Sequence, residues 1–336
     1  MTAAVTGGTG FLGGALVEML LCRGSRVRVL HRRPEDEVRI RSWGAEPVRG
    51  DLCVSNGCDG LVSEGDVVFH SAARVDMVGS WRQFRETTIE GTRHLLEAAL
   101  PRRPGRFVYI SSAAVYSPQA AGQPISAGRT PTRPAHYNFY GRAKLEAEAL
   151  VRRRCRQAGC PWTIVRLGFM YGPRNQALFR HFVPMARRNE LFIVGDGQNR
   201  IATLYLDDAA RAVLLAGTHP AAFGRIYDVA ADERVTQRTF LDATCDALGL
   251  PRTRRQVRSV TMAHLLATME DCFARLAGRL PMASRAMVAL MAADQIVDAS
   301  LARKELGWSP QVGFEQGIRR MGEWYRQERG LAVTAS

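Results

Sequence analysis

Tyr140 and Lys144 lie four residues apart in the stretch 137-YNFYGRAK-144, near the start of a segment typical of a helix. At this spacing both side chains share one helix face. A phenol has a pKa near 10, and a nearby cation together with the positive end of a helix would lower it toward neutral pH. Of the 46 basic residues only Lys144 and Lys304 are lysine. A compact ammonium that can also donate to ribose hydroxyls suits this position better than arginine. We therefore predict an acid–base pair.

A hydroxyl that could polarise a substrate carbonyl follows a predicted strand in 109-YISSAAVYS-117, which supplies Ser111 and Ser112. Ligands bind at the carboxyl ends of strands in open parallel sheets. The alternative is that these serines only form an ordinary turn.

A glycine-rich turn, 6-TGGTGFLG-13, follows the first predicted strand and opens a helix through Phe11 and Leu12. Gly7 would permit the tight turn, Gly10 would let the backbone approach a pyrophosphate, and Gly13 would permit close helix–strand contact. The N–H groups at the start of the helix would then face the anion. The strand before it and the helix after it favour dinucleotide binding over a plain glycine-rich turn.

The end of the second predicted strand indicates which dinucleotide binds. NAD sites usually place a carboxylate there for the ribose 2′-hydroxyl, whereas this strand ends in His31, Arg32 and Arg33. A guanidinium can bind a 2′-phosphate bidentately. The sequence therefore favours NADP(H) over NAD(H). The alternative, in which both arginines face solvent and either cofactor binds, stays open.

Alternating strand and helix patterns predict the frame that positions these residues. Strand-like runs occur at 3–5, 26–30, 67–70, 106–111, 162–166 and 226–229, and helix-like segments at about 11–23, 90–100, 140–157 and 207–216. This alternation predicts an α/β fold with a Rossmann-type doubly wound parallel sheet and a smaller, mostly helical C-terminal substrate lobe. We expect 1–171 to form the dinucleotide-binding domain, with 203–230 returning to it, and 172–202 and 231–330 to form the lobe.

Charge and cysteine content limit the partners. The chain of 336 residues has a formal net charge of +14, but its arginines are scattered without a polybasic tail or nucleic-acid-binding motif, so no nucleic acid partner is expected. Its seven cysteines form no C-x-x-C pair or metal-ligand cluster, which indicates reduced thiols and no metal. No signal peptide or transmembrane run is recognised, so we expect a cytoplasmic protein. The apolar stretch 259–297 should form amphipathic helices on the protein's own core, with a peripheral membrane contact left open.

Taken together, these motifs resemble the extended short-chain dehydrogenase/reductase superfamily, also described as NAD(P)-dependent epimerases and dehydratases, over nearly the whole chain. The segments 69-FHSAARVDMVGSW-81, 91-GTRHLLEAA-99, 195-GDGQNRIATLYLDDAARAVLLA-216 and 301-LARKELGWSP-310 look most like its 3β-hydroxysteroid dehydrogenase branch. The resemblance implies that Tyr140 exchanges the proton and that Lys144 binds the cofactor ribose. It favours Ser112 over Ser111, because the catalytic hydroxyl precedes the tyrosine of the "V-Y" pair, here Tyr116, by four residues. It also implies adenine contacts from Asp51-Leu52 and a turn beneath the cofactor at Ala72-Ala73.

Departures from the family pattern narrow the chemistry. Sugar dehydratases carry Asp-Glu after the catalytic hydroxyl, where this chain has Ala113 and Ala114. Nucleotide-sugar enzymes commonly have an arginine for the sugar-nucleotide phosphates where this chain has Ile201, although Arg200 or Arg174 could compensate. The asparagine that helps to organise a proton-relay water in related enzymes is replaced by Thr88.

These observations predict an NADP(H)-preferring oxidoreductase that interconverts a secondary alcohol and a ketone on an apolar, steroid-like or 3-oxo lipid or polyketide-like substrate. Two alternatives remain, a nucleotide-sugar epimerase with tightly held NAD and a dinucleotide-binding sensor without chemistry. The substrate and the direction of reaction stay open, and so does a homodimer.

Overall fold

The computed structural model describes residues 1–75, 79–117, 122–253, 255–277 and 284–328. Parts of the segments 69–81 and 259–297 discussed above, and the last residues of the predicted lobe, lie outside the described residues. The strands are β1 (Thr2–Thr6), β2 (Arg26–His31), β3 (Glu46–Arg49), β4 (Val67–His70), β5 (Arg106–Ser112), β6 (Pro124–Ile125), β7 (Trp162–Leu167), β8 (Phe169–Tyr171), β9 (Phe192–Val194), β10 (Thr203–Tyr205), β11 (Arg225–Val229), β12 (Arg255–Val257) and β13 (Ile296–Val297). The α-helices are α1 (Phe11–Cys22), α2 (Pro34–Ser42), α3 (Trp81–Phe84), α4 (Gly91–Ala99), α5 (Phe139–Gln157), α6 (Gln176–Arg187), α7 (Leu206–Thr218), α8 (Gln237–Leu248), α9 (Val260–Leu276), α10 (Arg285–Ala292), α11 (Ser300–Leu306) and α12 (Phe314–Glu328).

A seven-stranded parallel sheet in the order β11-β7-β5-β4-β1-β2-β3 forms the centre of the molecule. All six predicted strands lie in it. Helices α1 and α7 cover one face, and α4 and α5 cover the other. Central strands such as β5 are buried along nearly their whole length, which explains their continuous β-branched and aromatic sequences. The predicted α/β fold with a doubly wound sheet is confirmed.

The return of the chain to the sheet after residue 203 has two parts. Strand β11 pairs with β7 and forms the sheet edge, whereas β10 pairs with β8 in a separate two-stranded sheet. Helices α6, α8 and α12 surround a cluster of aromatic rings that includes Tyr171, Tyr205, Phe240 and Phe314. This cluster is the core of the mostly helical C-terminal region.

Helix α11 and Trp308 belong to a different layer from the rest of the C-terminal region. Trp308 is fully buried among α7, α1 and the sheet, and its Nε1 donates to the Asp208 carbonyl oxygen at 2.9 Å. The Asp208 carboxylate also accepts the backbone N–H groups of Gln311 at 2.9 and 3.0 Å and of Val312 at 3.1 Å. Two of the segments that carry the family resemblance, 195–216 and 301–310, therefore pack against each other and are joined by a hydrogen bond.

Replacement of Asp208 should destabilise the fold. Asp208→Ala removes a carboxylate that accepts two backbone N–H groups and the Arg211 guanidinium, so we expect a loss of about 2–4 kcal/mol in the free energy of unfolding. Chemical denaturation would measure it. The neighbouring Asp207→Ala is the matched control because Asp207 is exposed, and it should change stability little. Equal stability of the two variants would contradict the role given to Asp208.

The apolar stretch 259–297 forms α9 and α10, but α9 is oriented unexpectedly. Its small residues, Ala263 and Ala267, are buried against α10 and β9, whereas its large apolar residues are exposed: Met262, Leu265, Leu266, Met269 and Leu276. The expected packing of this helix on the protein's own core is therefore made by its small residues. No helix among the described residues is long and apolar enough to cross a membrane.

Candidate active site

The glycine turn lies between β1 and α1 and is closed by its own backbone. Gly7 has a φ of +69°, and the Gly10 N–H donates to the Gly7 carbonyl at 2.9 Å. A Cβ on Gly7 would lie 2.7 Å from the backbone nitrogen of Ala72, and one on Gly13 would lie 2.0 Å from the Gly7 oxygen. These positions therefore require glycine: Gly7 for the positive φ of the turn, and Gly13 because helix α1 passes close to the backbone of that turn rather than to a strand.

The start of α1 suits the pyrophosphate of a dinucleotide. Gly10 is the N-cap residue and no side chain caps it, and the first turn has no acidic residue. The backbone N–H groups of this turn are therefore available to an anion, and the helix dipole favours negative charge there. Leu12 contributes only its backbone, because its side chain is buried in the core, while Phe11 is half-buried at the surface of the turn. The residues fit a nicotinamide dinucleotide.

A chain of buried hydrogen bonds lies beneath this cradle. Thr6 Oγ1 and His70 Nδ1 are 2.7 Å apart, and His70 Nε2 and Thr92 Oγ1 are 2.9 Å apart. Burial lowers the pKa of His70 to about 3, with Lys144 adding to the effect, so the ring is neutral. Thr6 Oγ1 also accepts the N–H of Ala72 at 3.4 Å. The chain fixes the turn at Ala72 and Ala73 against the glycine loop.

The predicted 2′-phosphate residues lie at the carboxyl end of β2. Arg32 and Arg33 are exposed, and Arg32 Nη1 is 4.0 Å from the Asp51 carboxylate. His31 is buried instead, and its Nδ1 is 3.0 Å from the Arg33 carbonyl oxygen, so its ring holds the turn. Sequence reasoning missed Arg39, whose Nη2 donates to the Thr9 carbonyl at 3.3 Å beside the glycine turn.

The two residues predicted to contact adenine follow β3. Asp51 Oδ1 accepts the N–H of Cys53 at 2.9 Å, and the Leu52 carbonyl oxygen lies 2.8 Å from His94 Nδ1 on α4. A Cβ on Gly91 would lie 3.2 Å from the Leu52 Cβ. Both residues are thus half-buried between β3 and α4, near Arg32.

The structure brings Ser112 and Tyr140 together. Ser112 ends β5, and its Oγ accepts the Ala114 N–H at 3.2 Å. Its hydroxyl lies near enough to the Tyr140 hydroxyl to oppose the rise in the pKa of that phenol. Tyr140 lies in the first turn of α5, which Asn138 caps by accepting the Gly141 N–H at 2.9 Å. The Ser111 hydroxyl is buried and has no hydrogen-bond partner among the described residues. The geometry therefore favours Ser112 over Ser111.

Lys144 lies one turn further along α5 and is buried, with 2% of its surface exposed. Its Nζ donates to the Ile110 carbonyl of β5 at 2.6 Å and lies 4.9 Å from the centre of the Tyr109 ring. The lysine is thereby anchored to the strand that ends in Ser112. All three predicted catalytic side chains lie where β5 meets α5.

One prediction about this pair is wrong in sign. We expected the cation and the helix N-terminus to lower the pKa of Tyr140, but desolvation by burial raises it, and the neighbouring Ser112 hydroxyl offsets this rise only in part. Burial also lowers the pKa of Lys144 to about 7. In this arrangement Tyr140 is a protonated phenol at neutral pH.

Sequence reasoning also missed the local structure around Thr88. Residues Arg85–Glu90 form a π-helical segment between α3 and α4, a feature that is rare and frequent at functional sites. Thr88 is buried within it, and its hydroxyl lies 3.4 Å from the Arg74 backbone nitrogen. No periodicity in the sequence indicates this segment.

The position of a sugar-phosphate clamp is filled differently here. Ile201 packs against the aromatic core of the C-terminal region. Arg200 is held by Asp294 through contacts of 3.0 and 2.8 Å, and Arg174 donates to Glu18 at 2.8 Å. The arginines that could have compensated for Ile201 are therefore engaged within the protein.

Three apolar residues of β8 and α6, which are Phe169, Met170 and Phe179, have different surroundings. Phe179 is buried and stacks on Trp324, with ring centres 5.5 Å apart, so it belongs to the core. Phe169 packs edge-on against Phe240 at 5.3 Å, and Met170 is half-buried beside the sheet core.

Comparisons with known proteins show what the chain is similar to. The model of the NAD dependent epimerase/dehydratase family matches residues 3–230. A 2-alkyl-3-oxoalkanoate reductase of Stenotrophomonas maltophilia is 29% identical over 330 residues, which cover 96% of this chain and 98% of the relative. A 3beta-hydroxysteroid-dehydrogenase/decarboxylase of Arabidopsis thaliana is 27% identical over 94% of this chain and 77% of its own length. The structure of a UDP-glucuronic acid 4-epimerase from Bacillus cereus, with NAD and UDP-glucuronic acid bound, has a TM-score of 0.75 at 21% identity and covers 98% of this chain and 100% of that one. This last likeness concerns the fold alone.

Proposed function

Because the chain belongs to the NAD dependent epimerase/dehydratase family and is an NAD(P)-dependent enzyme, we propose that it is an NADP(H)-preferring oxidoreductase that interconverts a secondary alcohol and a ketone on an apolar substrate. The observation that carries this proposal is the meeting of Ser112, Tyr140 and the buried Lys144 where β5 meets α5, with Lys144 Nζ donating to the Ile110 carbonyl at 2.6 Å. An acid–base hydroxyl pair at the carboxyl end of a central strand is what proton transfer to a carbonyl oxygen requires.

Binding of the cofactor is assigned to the glycine turn and its surroundings. The backbone at Gly7, Gly10 and Gly13 would hold the pyrophosphate, Asp51 and Leu52 the adenine end, and Lys144 the nicotinamide ribose. Ala72 and Ala73 would support the cofactor from below. When bound, the nicotinamide supplies or accepts the hydride at the carbonyl carbon.

We assign to Tyr140 the transfer of a proton to the carbonyl oxygen of the substrate. In the reducing direction Ser112 would donate a hydrogen bond to the carbonyl oxygen, and Tyr140 would donate its proton to the same oxygen as the alkoxide develops. The Lys144 ammonium would stabilise the phenolate left behind. Since burial raises the pKa of Tyr140, the phenol is protonated at neutral pH, which suits reduction.

The substrate class follows from what the site lacks and from the relatives. Ala113 and Ala114 stand where a dehydratase needs acids, and Ile201, Arg200 and Arg174 offer no free cation for a sugar nucleotide. The names of two relatives describe a 3-oxoalkanoate and a 3β-hydroxysteroid as substrates. We therefore propose a steroid-like or 3-oxo lipid or polyketide-like ketone.

The division of the chain is part of the same proposal. We assign residues 1–171 with 203–230 to cofactor binding and residues 172–202 and 231–330 to the substrate. The cytoplasmic location and the homodimer remain predictions.

A ketone screen tests the function. The purified protein would be incubated with NADPH and a panel of apolar 3-oxo acids and 3-oxosteroids, and NADPH oxidation would be followed by absorbance. We expect turnover with at least one apolar ketone and none with UDP-sugars. Tightly held NAD in the purified protein together with epimerisation of a UDP-sugar would overturn the proposal in favour of the epimerase. Binding of NADPH without turnover on any ketone or UDP-sugar would indicate the sensor.

The arginines at the end of β2 should decide the choice of cofactor. A charge-assisted contact to the 2′-phosphate worth about 2 kcal/mol would make NADPH bind roughly 30-fold more tightly than NADH. In the double variant Arg32→Ala/Arg33→Ala this preference should disappear, with NADH affinity unchanged. Titration of the protein with each cofactor, monitored through its tryptophan fluorescence, would measure both affinities.

Arg26→Ala is the matched control for this measurement, because Arg26 is an exposed arginine at the opposite end of the same strand. It should keep the preference. Equal NADPH and NADH affinities in the unmodified protein would show that the two arginines do not select the cofactor.

A further inference from the structure

A buried ion pair lies one helical turn beyond Lys144. Glu148 on α5 is 1% exposed and Arg166 on β7 is 4% exposed. Arg166 Nε donates to Glu148 Oε1 at 2.9 Å and Nη2 donates to Oε2 at 2.6 Å, which is a bidentate contact. Two buried charges lose most of their hydration, and an apolar pair would often stabilise a core equally well. The place of this pair beside Lys144 is therefore its informative feature.

Arg166 is also held from its other side. Its Nη1 donates to the Tyr116 hydroxyl at 2.8 Å, and that hydroxyl donates to both carboxylate oxygens of Asp228 at 2.8 Å. Asp228 further accepts the Ala127 N–H at 2.6 Å. Burial raises the pKa of Asp228 to about 6, so the group is mostly ionised at neutral pH. Arg166 therefore lies between two carboxylates.

The charges of this cluster balance only when Lys144 is included. Glu148 and Asp228 are two acids, whereas Arg166 supplies one cation. A protonated Lys144 is the second cation, and it brings the buried group to neutrality. Because an uncompensated charge is costly in the protein interior, the cluster stabilises the ammonium form of the lysine.

The other groups around Lys144 do not supply such a charge. On β5 it meets the Ile110 carbonyl and the Tyr109 ring. On β4 it faces His70, whose low pKa keeps it neutral. On its own helix it neighbours Tyr140, a neutral phenol. Desolvation lowers the pKa of Lys144 to about 7, and the Glu148 carboxylate is the group that opposes this shift.

We propose that Glu148 is a positioning residue of the reaction: its carboxylate, locked in place by Arg166, keeps the buried amine of Lys144 protonated beside Tyr140. The inference rests on the proposed function, in which the Lys144 ammonium supports proton transfer at Tyr140. Glu148 touches neither substrate nor cofactor and acts through the lysine.

The scarcity of lysine makes the proton on Lys144 directly measurable. Lys304 is exposed, and Lys304→Arg would leave Lys144 as the only lysine of the chain. In that background, protein labelled with ¹³C at the lysine ε-carbon gives one lysine signal, whose chemical shift against pH reports the titration of Lys144. Lys304→Arg should leave activity unchanged.

The experiment compares Lys144 in this background with Lys144 in Glu148→Gln and in the double variant Glu148→Met/Arg166→Met. The double variant leaves no unpaired arginine, so it should fold even where Glu148→Gln does not. We expect Lys144 to titrate at least about one pH unit lower in Glu148→Gln. It should move less in the double variant, which removes one acid and one cation and leaves Asp228 to balance the lysine. An unchanged titration in folded Glu148→Gln would overturn the proposal. The proposal would also be overturned if Lys144 were already neutral at pH 6 in the Lys304→Arg protein. This measurement does not depend on the folding of a Glu148 variant.

The pH profile of ketone reduction is the second measurement. Activity should fall as pH rises through the pKa of Lys144, because the neutral amine no longer stabilises phenolate. Removal of Glu148 lowers that pKa, so the falling limb should move about one pH unit lower, which is about a tenfold loss at a fixed pH above it. If the Glu148–Arg166 pair were purely structural, its removal would lower stability and leave the falling limb of the pH profile unchanged. A lysine titration that moves in a protein without ketone turnover would refute the proposed function and leave the electrostatic role of Glu148 standing.

Discussion

Tyr140→Phe should reduce kcat for ketone reduction by a factor of about 10² to 10⁴, the range that general acid–base groups contribute. The substitution removes the hydroxyl that lies near Ser112 and that would donate the proton. The ring and the α5 backbone stay, so the fold and the affinity for NADPH should change little. Steady-state kinetics and fluorescence titration of NADPH on the same preparation would measure both.

Tyr137→Phe is the control that separates the catalytic hydroxyl from any tyrosine hydroxyl near it. Tyr137 lies three residues earlier, and its ring contacts His136 and His264 with centres 5.1 and 6.4 Å apart, contacts that a phenylalanine keeps. We expect near-normal kcat for this variant. If Tyr140→Phe retained its turnover, Tyr140 would not be the proton donor.

The raised pKa of Tyr140 gives this first prediction a pH dependence. Below its pKa the phenol holds its proton, so reduction needs no ionisation at Tyr140 at neutral pH. Oxidation of the alcohol needs the phenolate, and its rate should rise with pH toward the alkaline range. The direction follows from burial as the main cause of the shift.

The frame of the site could be predicted because its signals are local. The strands in the centre of the sheet are continuous apolar runs, and the glycine spacing is dictated by contacts within one turn. Strand β3 (Glu46–Arg49) was missed, since a short edge strand containing Pro47 has little of the composition of a strand. Helix α2 buries only Ile40, which leaves no apolar periodicity to detect.

The electrostatics of the site could not be predicted, because they depend on contacts between distant parts of the chain. Sequence reasoning identified the lysine near the tyrosine but could not weigh burial, and burial reverses the expected pKa shift of Tyr140. The hydrogen bond from Tyr116 to Asp228 joins residues 112 positions apart. Helix α9 is a second example of what the sequence could not predict. Its periodicity identifies an amphipathic helix, but it does not show that the face with Ala263 and Ala267 is the buried one.

Two adjacent glycines on α1 distinguish a residue required by the cofactor cradle from one that is merely small. A Cβ on Gly13 would lie 2.0 Å from the carbonyl oxygen of Gly7, whereas the nearest atom to a Cβ on Gly14 is the Gly8 oxygen at 3.6 Å, an ordinary contact. The Gly7 carbonyl is held in place, because it accepts the Gly10 N–H at 2.9 Å within the turn. Helix α1 must therefore shift to accept a methyl group at Gly13.

Gly13→Ala should then lower the affinity for NADPH by at least about 100-fold and the free energy of unfolding by about 1–3 kcal/mol. A shifted helix misaligns the N–H groups at the pyrophosphate, each worth about 1.5–3 kcal/mol to a charged acceptor, and overpacking adds the loss of stability. Gly14→Ala should bind NADPH normally and gain about 1 kcal/mol, the helix-propensity difference between glycine and alanine. Denaturation and fluorescence titration of the two variants would measure this. If Gly13→Ala bound NADPH as tightly as Gly14→Ala, the turn would not be the cofactor cradle, since the steric conflict exists only at Gly13.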